Sequence, residues 1–272
     1  FDCIELITRK SKKIININKI NKLPKNLKKK VLLDLKNITK KKFLKKLRFK
    51  KIPILMGVIN ATPDSFSDGK KFLDDKSAKI QINKLIDEGA EIIDLGGEST
   101  RPGARDINKE EEWRRIKFKL NYLSKKKCFI SLDTRKSFIV NKSLRYKVDL
   151  INDVSGLSND KGMIEILQKS KTPFVIHHMK GIPENMQSKP SYKNVILDIY
   201  DFFQEKLNLI RKNNIVHNNI ILDPGIGFGK NLKHNITLIN QISIFHSLGF
   251  PIMLGLSRKR FIKDLSGINA RK

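Results

Sequence analysis

The chain has 272 residues, 39% of them hydrophobic, and its 56 Lys+Arg against 27 Asp+Glu give a formal charge of +29. This apolar content suffices for a core, so general disorder is excluded, and no apolar run approaches the roughly 18 residues of a membrane-spanning helix. The only cysteines, Cys3 and Cys128, exclude a disulfide scaffold and a cysteine-based zinc module, and they favour a cytoplasmic location.

The charge raises the hypothesis of a nucleic-acid-binding protein. Only 12 of the 56 basic residues are Arg, whereas nucleic-acid recognition relies on Arg and interleaved aromatic side chains. Lys, Asn and Ile share A/T-rich codons, so drift in an A/T-rich genome explains the bias more simply. We therefore expect no nucleic-acid partner.

Residues 1–51 are predicted to be a Lys-rich extension or linker, with 19 of the 56 basic residues and only 3 of the 27 acidic ones. Apolar residues at helical spacing predict a basic amphipathic helix here: Leu27, Val31, Leu35 and Ile38. A second short stretch, Phe43, Leu44 and Leu47, would continue this helix. The helix either lies on an anionic surface or packs against the rest of the chain, and we expect packing. The segment has no apolar core of a secretory signal, and we expect no membrane partner.

From residue 52 onward, short apolar runs alternate with polar loops and with stretches of helical periodicity. Seven runs rich in Ile, Val and Leu predict parallel strands buried on both faces: 52–59, 91–95, 128–133, 149–153, 173–178, 219–223 and 251–256. Helices are predicted at 77–88, 109–124, 137–145, 162–170, 195–213 and 235–248, and from residue 259. Seven β-α units predict an α/β fold, a (β/α)₈ TIM barrel over 52–272 that is truncated before its eighth strand. A doubly wound open sheet is the alternative.

Each run ends in a polar residue: Asn60, Asp94, Asp133, Asn152, His178, Asp223 and Ser257. In a barrel these ends converge on the face that carries the active site. Asp133, Asn152 and Asp223 suit the N–H and NH₂ edge of a 2-amino-4-oxo heterocycle, but they would also serve as helix caps. His177 and His178 are adjacent on one strand, so they point to opposite faces, and we expect core histidines rather than metal ligands.

Four loops add candidate binding groups. Asn60, Asp64 and Asp68, on a long loop, offer oxygen ligands for Mg²⁺ held largely through substrate phosphates, although the same residues form ordinary turns. The loop after the second strand, GGESTRPG (96–103), combines glycines, hydroxyls and Arg101 into a cradle for a diphosphate or carboxylate. In DPGIGFGK (223–230) the glycines admit a flat ligand beside Phe228. Lys259 opposes the helix dipole unless an anion or carbonyl offsets its charge.

Together these segments closely resemble the dihydropteroate synthase family. The matching segments are MGVINATPDSFSDG (56–69), GAEIIDLGGESTRPGA (89–104), SLDT (131–134), IND (151–153), HMKG (178–181), DPGIGFGK (223–230) and SRK (257–259). The resemblance implies a barrel enzyme that condenses 6-hydroxymethyl-7,8-dihydropterin diphosphate with p-aminobenzoate. The products are 7,8-dihydropteroate, on the route to folate, and diphosphate. The implied chemistry is dissociative, because diphosphate leaves first and the arylamine attacks the resulting pterin cation.

The resemblance also implies roles for individual residues. The implied pterin-binding residues are Asp133, Asn152, Asp223 and Lys259. The implied catalytic residues are Asp133, Lys259 and Arg101. The residues implied to line the p-aminobenzoate and diphosphate side of the site are Phe66, Thr100, Arg101, Pro102, Phe228 and Ser257. Mg²⁺ would be the cofactor, bound by Asn60 and Asp64.

Beyond the active site, the family pattern implies a homodimer and suggests a fused pterin pyrophosphokinase upstream. The sequence departs from the family pattern at His177 and Lys180, where the family often has Met and Gln, and it ends before the family's final Arg-x-His element. A pterin-binding methyltransferase is the other enzyme hypothesis. The TPDSFSD and SRK segments argue against it.

Overall fold

The computed structural model describes residues 1–42, 44, 47, 52–62, 74–101 and 103–267. Its main sheet holds six parallel strands in sequence order: β3 (Met56–Asn60), β4 (Ile92–Gly96), β5 (Phe129–Asp133), β6 (Leu150–Asp153), β7 (Phe174–His177) and β8 (Ile220–Asp223). The helices that follow are α2 (Asp75–Asp87), α3 (Lys109–Leu123), α4 (Ser137–Ser143), α5 (Gly162–Ser170), α6 (Val195–Lys212), α7 (Leu232–Asn240) and α8 (Arg260–Ser266). A hairpin, β1 (Cys3–Ile7) and β2 (Lys12–Asn16), and helix α1 (Lys25–Thr39) precede them.

Six of the seven strands predicted from the sequence are present in the structure. The seventh run, 251–256, makes only an isolated parallel bridge between Leu222 and Ile252. Two backbone hydrogen bonds accompany it: Leu222 N–H to the Pro251 carbonyl and Met253 N–H to the Leu222 carbonyl, both 2.9 Å. Within the described part of the chain, no strand pairs with the edge of this run that faces away from β8. The run is therefore held on one edge only, which explains why its hydrogen bonding to β8 does not extend into a full strand.

The predicted helix over 235–248 is divided in two. Asn231 forms a capping box with His234, so α7 begins earlier, at Leu232. The helix ends at Asn240, because Gln241 has a non-helical φ of −116°, and a 3₁₀ segment, Ile242–Leu248, follows.

The six strands curve around one interior, as a barrel requires. Leu150, Val175 and Ile221 form an inner cluster, and Met56 and Met253 both pack against it. Met56 lies on the first strand of the sheet and Met253 lies beyond the last. In an open sheet these two side chains would be separated by the full width of the sheet, about 4.8 Å per strand. The six strands also lie in sequence order, without the reversal that a doubly wound sheet has at its switch point, so the fold agrees with the barrel prediction over that alternative.

Residues that alternate with the inner set point outward and form the larger core with the helices. This outer core includes Ile93, Leu95, Ile130, Leu132, Ile151, Ile176 and Leu222. Both faces of each strand are apolar through most of its length, as expected for parallel strands with helices on one side and a packed interior on the other. The polar residues that remain inside are concentrated at the carboxyl ends of the strands.

The amphipathic helix predicted in the extension is confirmed as α1, and it packs against the barrel's helices. Val31 is buried, and the Asn37 side-chain amide donates to the Ser247 carbonyl at 2.8 Å. The preceding β1–β2 hairpin is absent from the sequence prediction. Its turn residue Arg9 pairs with Asp198 at 2.7 Å and with Asp201 at 2.5 Å, both on α6.

The expected continuation of α1 through residues 43–47 is wrong where the structure describes it. The helix ends at Thr39, and Leu44 and Leu47 lie outside any helix. Their side chains, 6% and 3% exposed, pack on the inner cluster of the barrel. These two leucines form an apolar floor at the end of the barrel opposite the polar strand ends. Burial in that floor gives them a better apolar environment than a basic surface helix would. Phe43 lies outside the described residues.

Candidate active site

Strand register places three of the predicted polar residues, Asn60, Asp133 and Asn152, at one level of the barrel rim. Across four adjacent strands, Asn60 pairs with Gly96, Gly96 with Asp133, and Asp133 with Asn152. Asp223 pairs with His177 on the next two strands, two residues beyond Val175, which is the partner of Asn152. All of these positions alternate with outward-facing core residues, so their side chains belong to the interior face.

Asp133 is not a helix cap. The N-cap of α4 is Lys136, which makes no side-chain capping bond. Asp133 is 9% exposed, and its Oδ1 has no hydrogen-bond partner among the described residues. Burial, followed by the nearby carboxylate of Asp94, raises the pKa of Asp133 well above its ordinary range. A buried carboxylate oxygen without a partner is destabilising for the empty protein, which is typical of a group that awaits a ligand.

Asn152 is oriented by a contact across the barrel. Its Nδ2 donates to Asp94 Oδ2 at 3.0 Å, although β5 lies between their two strands. The amide oxygen of Asn152 is buried and has no partner within the described part of the chain. Burial raises the pKa of Asp94, and the hydrogen bond from Asn152 opposes that shift. Asn152 and Asp133 thus present two buried acceptor oxygens at adjacent strand ends.

Asp223 starts the glycine-rich loop and shapes its first turn. Its Oδ1 accepts the Gly225 backbone N–H at 2.7 Å. Gly225 has a φ of +68°, and a Cβ at this position would lie 2.0 Å from the His178 carbonyl oxygen. Only glycine permits this approach of two backbone segments. The loop is thereby held against the end of β7.

Lys259 reaches back to the same loop from the start of α8. It is the N-cap residue of this helix, and its Nζ donates to the Ile226 carbonyl. The ammonium also lies 4.7 Å from the centre of the Phe228 ring. Burial lowers the pKa of Lys259, and Asp223 opposes the shift. The Ile226 carbonyl and the Phe228 ring therefore offset the unfavourable interaction of the ammonium with the positive end of α8. The sequence position of Lys259 predicted either an anion or a carbonyl in this role, and the structure places a carbonyl there.

The two histidines point to opposite sides, as predicted. His177 faces the interior, where its Nδ1 donates to the Val154 carbonyl at 2.9 Å and its ring meets Phe228 edge to face. The His178 ring packs on Phe202 of α6. Burial lowers the pKa of His177 to about 4. Among the described residues no group of three or more His, Cys, Asp or Glu is placed to hold a metal ion.

Lys230 is a buried residue that sequence reasoning left without a role. It is 3% exposed, and its Nζ lies 3.0 Å from His178 Nδ1 and 2.9 Å from the Phe228 carbonyl, to which it donates. Burial lowers the pKa of Lys230 well below its ordinary value. The one sequence feature that could have pointed to Lys230 is its position as the last residue of the DPGIGFGK segment. Asp94 was recognised as a polar strand end but received no binding role.

The remaining predicted residues are only partly described. Thr100 and Arg101 are half-buried on the loop between β4 and α3, where the Ala104 N–H donates to the Arg101 carbonyl at 3.0 Å. Ser257 is exposed, and the described contacts do not bring it to the strand-end cluster. Asp64, Phe66, Asp68 and Pro102 lie outside the described residues.

Comparison with known proteins agrees with this geometry. Residues 56–272 match the family of pterin binding enzymes. Over 212 residues the chain is 39% identical to the dihydropteroate synthase of Haemophilus influenzae, covering 78% of this chain and 77% of that protein. It is 40% identical over 219 residues to the dihydropteroate synthase of Neisseria meningitidis serogroup C, covering 79% and 77%.

Solved structures show the same fold. The Yersinia pestis dihydropteroate synthase, in a sulfonamide drug complex, superposes with a TM-score of 0.77 at 37% identity, covering 80% of each chain. The Xanthomonas albilineans enzyme with 4-aminobenzoic acid has a TM-score of 0.70 at 32% identity, covering 79% of this chain and 77% of that one. The chain therefore belongs to the family of pterin-binding enzymes and, within it, to the dihydropteroate synthases.

Proposed function

We propose that the strand-end cluster binds 6-hydroxymethyl-7,8-dihydropterin diphosphate and that the loop with Thr100 and Arg101 receives p-aminobenzoate. The observation that carries this proposal is the pair of buried, unpartnered acceptor oxygens on Asp133 and Asn152. Two adjacent acceptors match the N–H and NH₂ donors along one edge of a 2-amino-4-oxo pterin. Asp223, at the end of β8, and Lys259, at the start of α8, complete the proposed contacts to the ring.

The reaction breaks the bond between the pterin methylene carbon and the diphosphate oxygen, and it forms a bond from that carbon to the arylamine nitrogen. Diphosphate carries away the bonding electron pair, and the arylamine loses one proton. Positive charge develops on the pterin as diphosphate departs. The carboxyl groups of Asp94, Asp133 and Asp223 border the proposed position of the ring, and their ionised forms stabilise the developing cation. No nucleophilic side chain is needed.

The leaving group requires cationic stabilisation on the other side of the ring. Arg101, with its forked donors, is proposed to hold diphosphate or the carboxylate of p-aminobenzoate together with Thr100. Phe66, Pro102, Phe228 and Ser257 are proposed to border this side. Phe228 lies beneath the Lys259 ammonium and against His177, so its ring is already fixed as a wall.

Asn60 and Asp64 are proposed to hold Mg²⁺. Asn60 lies at the rim in register with Gly96. One amide oxygen and one carboxylate form a sparse, hard-oxygen donor set, which suits an ion that keeps several waters and is bound mainly through phosphate oxygens. When bound, Mg²⁺ would neutralise charge on the departing diphosphate.

The proposal extends to partners and location. We expect a homodimer, a fused pyrophosphokinase that supplies the diphosphate substrate, and a cytoplasmic location. Among the described helices, none combines the length and apolar character needed to cross a bilayer.

Mixing the protein with the pterin diphosphate, p-aminobenzoate and Mg²⁺ tests the function. The expected result is dihydropteroate, released with one equivalent of diphosphate. Diphosphate release at the same rate without p-aminobenzoate would contradict the proposed transfer, because it would show hydrolysis instead. Calorimetric titration with the pterin diphosphate alone separately tests the proposed pterin site. A Kd unchanged by Asp133→Ala and by Asn152→Ala would refute that assignment.

A further inference from the structure

A buried cluster of charged side chains lies directly behind the loop that carries Thr100 and Arg101. We call this cluster the loop clamp and define it as Glu98, Glu112, Arg135 and Lys136. Glu98, Glu112 and Arg135 are 3%, 0% and 7% exposed. Charged side chains are rarely buried to this extent unless they are paired, because each ion loses its hydration.

Glu98 is the centre of the clamp. Its Oε2 accepts from the Arg135 Nε and Nη2 at 3.1 and 2.7 Å, and its Oε1 accepts from Lys136 Nζ at 2.8 Å. The same Oε1 accepts the backbone N–H of Ile107 at 3.1 Å. Glu98 therefore joins the start of the β4–α3 loop, the end of that loop, and the segment that follows Asp133.

The rest of the clamp fixes this arrangement to α3. Glu112 accepts from the Thr134 hydroxyl at 2.5 Å and from Lys136 Nζ at 2.9 Å. Arg115 donates to the Gly97 carbonyl at 3.0 Å. A Cβ at Gly97 would lie 2.9 Å from the Glu112 carbonyl oxygen, so the base of the loop lies flush against the helix.

The energetics of buried ion pairs favour a positioning role over a purely stabilising one. Replacing such a pair with well-packed apolar residues is often neutral or stabilising, whereas its geometry specifies one arrangement of the attached backbone. Here the attached backbone includes Thr100 and Arg101 on one side and Asp133 on the other. The clamp thus sets the spacing between the two halves of the proposed site.

We propose that Glu98 is a positioning residue that holds the Thr100–Arg101 segment in register with the pterin-binding strand ends. This proposal rests on the proposed function, because it takes Thr100 and Arg101 to serve the p-aminobenzoate and diphosphate side. Glu98 touches no substrate in this scheme. Its carboxylate acts through the loop backbone on one side and through Arg135 and Lys136 on the other.

Steady-state kinetics of Glu98→Gln test the role. A displacement of about 1 Å at a reactive site lowers rates by up to about 100-fold, so we expect the KM for p-aminobenzoate to rise roughly 10-fold or more. The Kd for the pterin diphosphate, measured by calorimetry, should stay within about twofold, since the strand ends are held by the barrel. Glu165→Gln is the matched control, because this glutamate forms an exposed ion pair with Lys169 on α5. It should change neither quantity.

Equal changes in the pterin Kd and in the KM for p-aminobenzoate would overturn the positioning role, as would wild-type kinetics. If Glu98→Gln does not fold, Asp106→Asn provides the second test. Its carboxylate is 71% exposed, yet it contacts Arg135 at 3.1 Å and Lys136 at 3.4 Å. The same selective rise in KM is expected, of smaller size, and an unchanged KM would refute the proposal.

A parallel Arg101→Ala variant separates this proposal from the proposed function. Impaired kinetics in Arg101→Ala with normal kinetics in Glu98→Gln would refute the positioning role alone. Normal kinetics in Arg101→Ala would refute the site assignment, and the positioning proposal with it. In the double variant, Glu98→Gln should add little to the effect of Arg101→Ala on the KM for p-aminobenzoate, because both act through one segment.

Discussion

The side-chain amide of Asn152 donates to Asp94 at 3.0 Å across the interior of the barrel, from β6 to β4, past the intervening strand. This contact fixes which end of the amide faces Asp94. The oxygen of Asn152 is therefore left as a buried acceptor. Asp94 belongs to the proposed pterin site for this reason, although it was not among the residues predicted to bind the ring.

Asp94→Ala tests that relationship. Without its acceptor, the Asn152 amide loses its fixed orientation and leaves a buried donor unsatisfied, which costs about 1–3 kcal/mol. We expect affinity for the pterin diphosphate to fall roughly 10-fold, measured by calorimetry. Unchanged affinity in a folded Asp94→Ala protein would show that Asn152 does not depend on this contact.

Asp133→Asn is expected to stabilise the empty protein while abolishing activity. Burial raises the pKa of Asp133, so ionisation of this group destabilises the fold as pH rises above the ordinary carboxyl pKa of about 3.9. The neutral amide removes that cost, and the free energy of unfolding at pH 7 should increase on the order of 1 kcal/mol in urea denaturation. Activity should fall at least about 100-fold.

Asp153→Asn is the matched control, because Asp153 is also buried but accepts backbone N–H bonds from Ser155 at 2.8 Å and Leu157 at 3.0 Å. Its replacement should destabilise the protein, since an amide nitrogen cannot accept these bonds. If Asp133→Asn is also destabilising, Asp133 has a structural role instead.

Lys259→Ala should abolish pterin binding and leave the fold intact. The Lys259 side chain bridges the Ile226 carbonyl and the Phe228 ring at the barrel mouth. We expect at least about a 100-fold loss of pterin affinity in calorimetry, with little change in the midpoint of thermal unfolding. Lys169→Ala, which removes an exposed lysine, should leave affinity as in the wild type. Unchanged pterin affinity in Lys259→Ala would refute its assigned role.

His177 predicts a pH dependence of stability. In the unfolded chain its imidazole takes up a proton near pH 6.5, whereas in the folded protein burial lowers its pKa to about 4. The unfolded state binds the proton first, so stability is lost as pH falls from about 6.5 to about 4. Urea denaturation at pH 7 and pH 4.5 measures this loss. His177→Gln should lose about 2 kcal/mol less than the wild type over this interval, and identical losses would contradict the prediction.

Leu47→Ala tests whether residues 1–51 are a separate extension or part of the barrel fold. Leu47 is 3% exposed on the inner cluster, and truncation of such a side chain costs about 2–5 kcal/mol. Leu33→Ala, on the exposed side of α1, should cost less than about 0.5 kcal/mol. Denaturant midpoints of the two variants give the comparison. Equal stability of the two would show that the floor does not contribute to the barrel.

From residue 52 onward, the sequence alone determined the order of the strands and helices and the polar residues at the strand ends. Short Ile- and Val-rich runs recur along the chain, and each ends in a polar residue. This pattern predicts buried parallel strands whose ends converge on one face. Asp133, Asn152 and Asp223 were found in this way. The loops after the second and seventh runs added Arg101 and Lys259, and the family resemblance implied their roles.

Only the tertiary structure decided which of these polar groups have hydrogen-bond partners within the protein and which are open to a ligand. Asp133 and Asp153 are both buried aspartates at strand ends in the sequence pattern, yet Asp153 is bonded to its own turn and Asp133 Oδ1 has no partner among the described residues. The contact from Asp94 to Asn152, the loop clamp around Glu98 and the floor of Leu44 and Leu47 join residues distant in sequence. Local propensity contains no signal for such contacts, because they exist only once the strands have curved around a common interior.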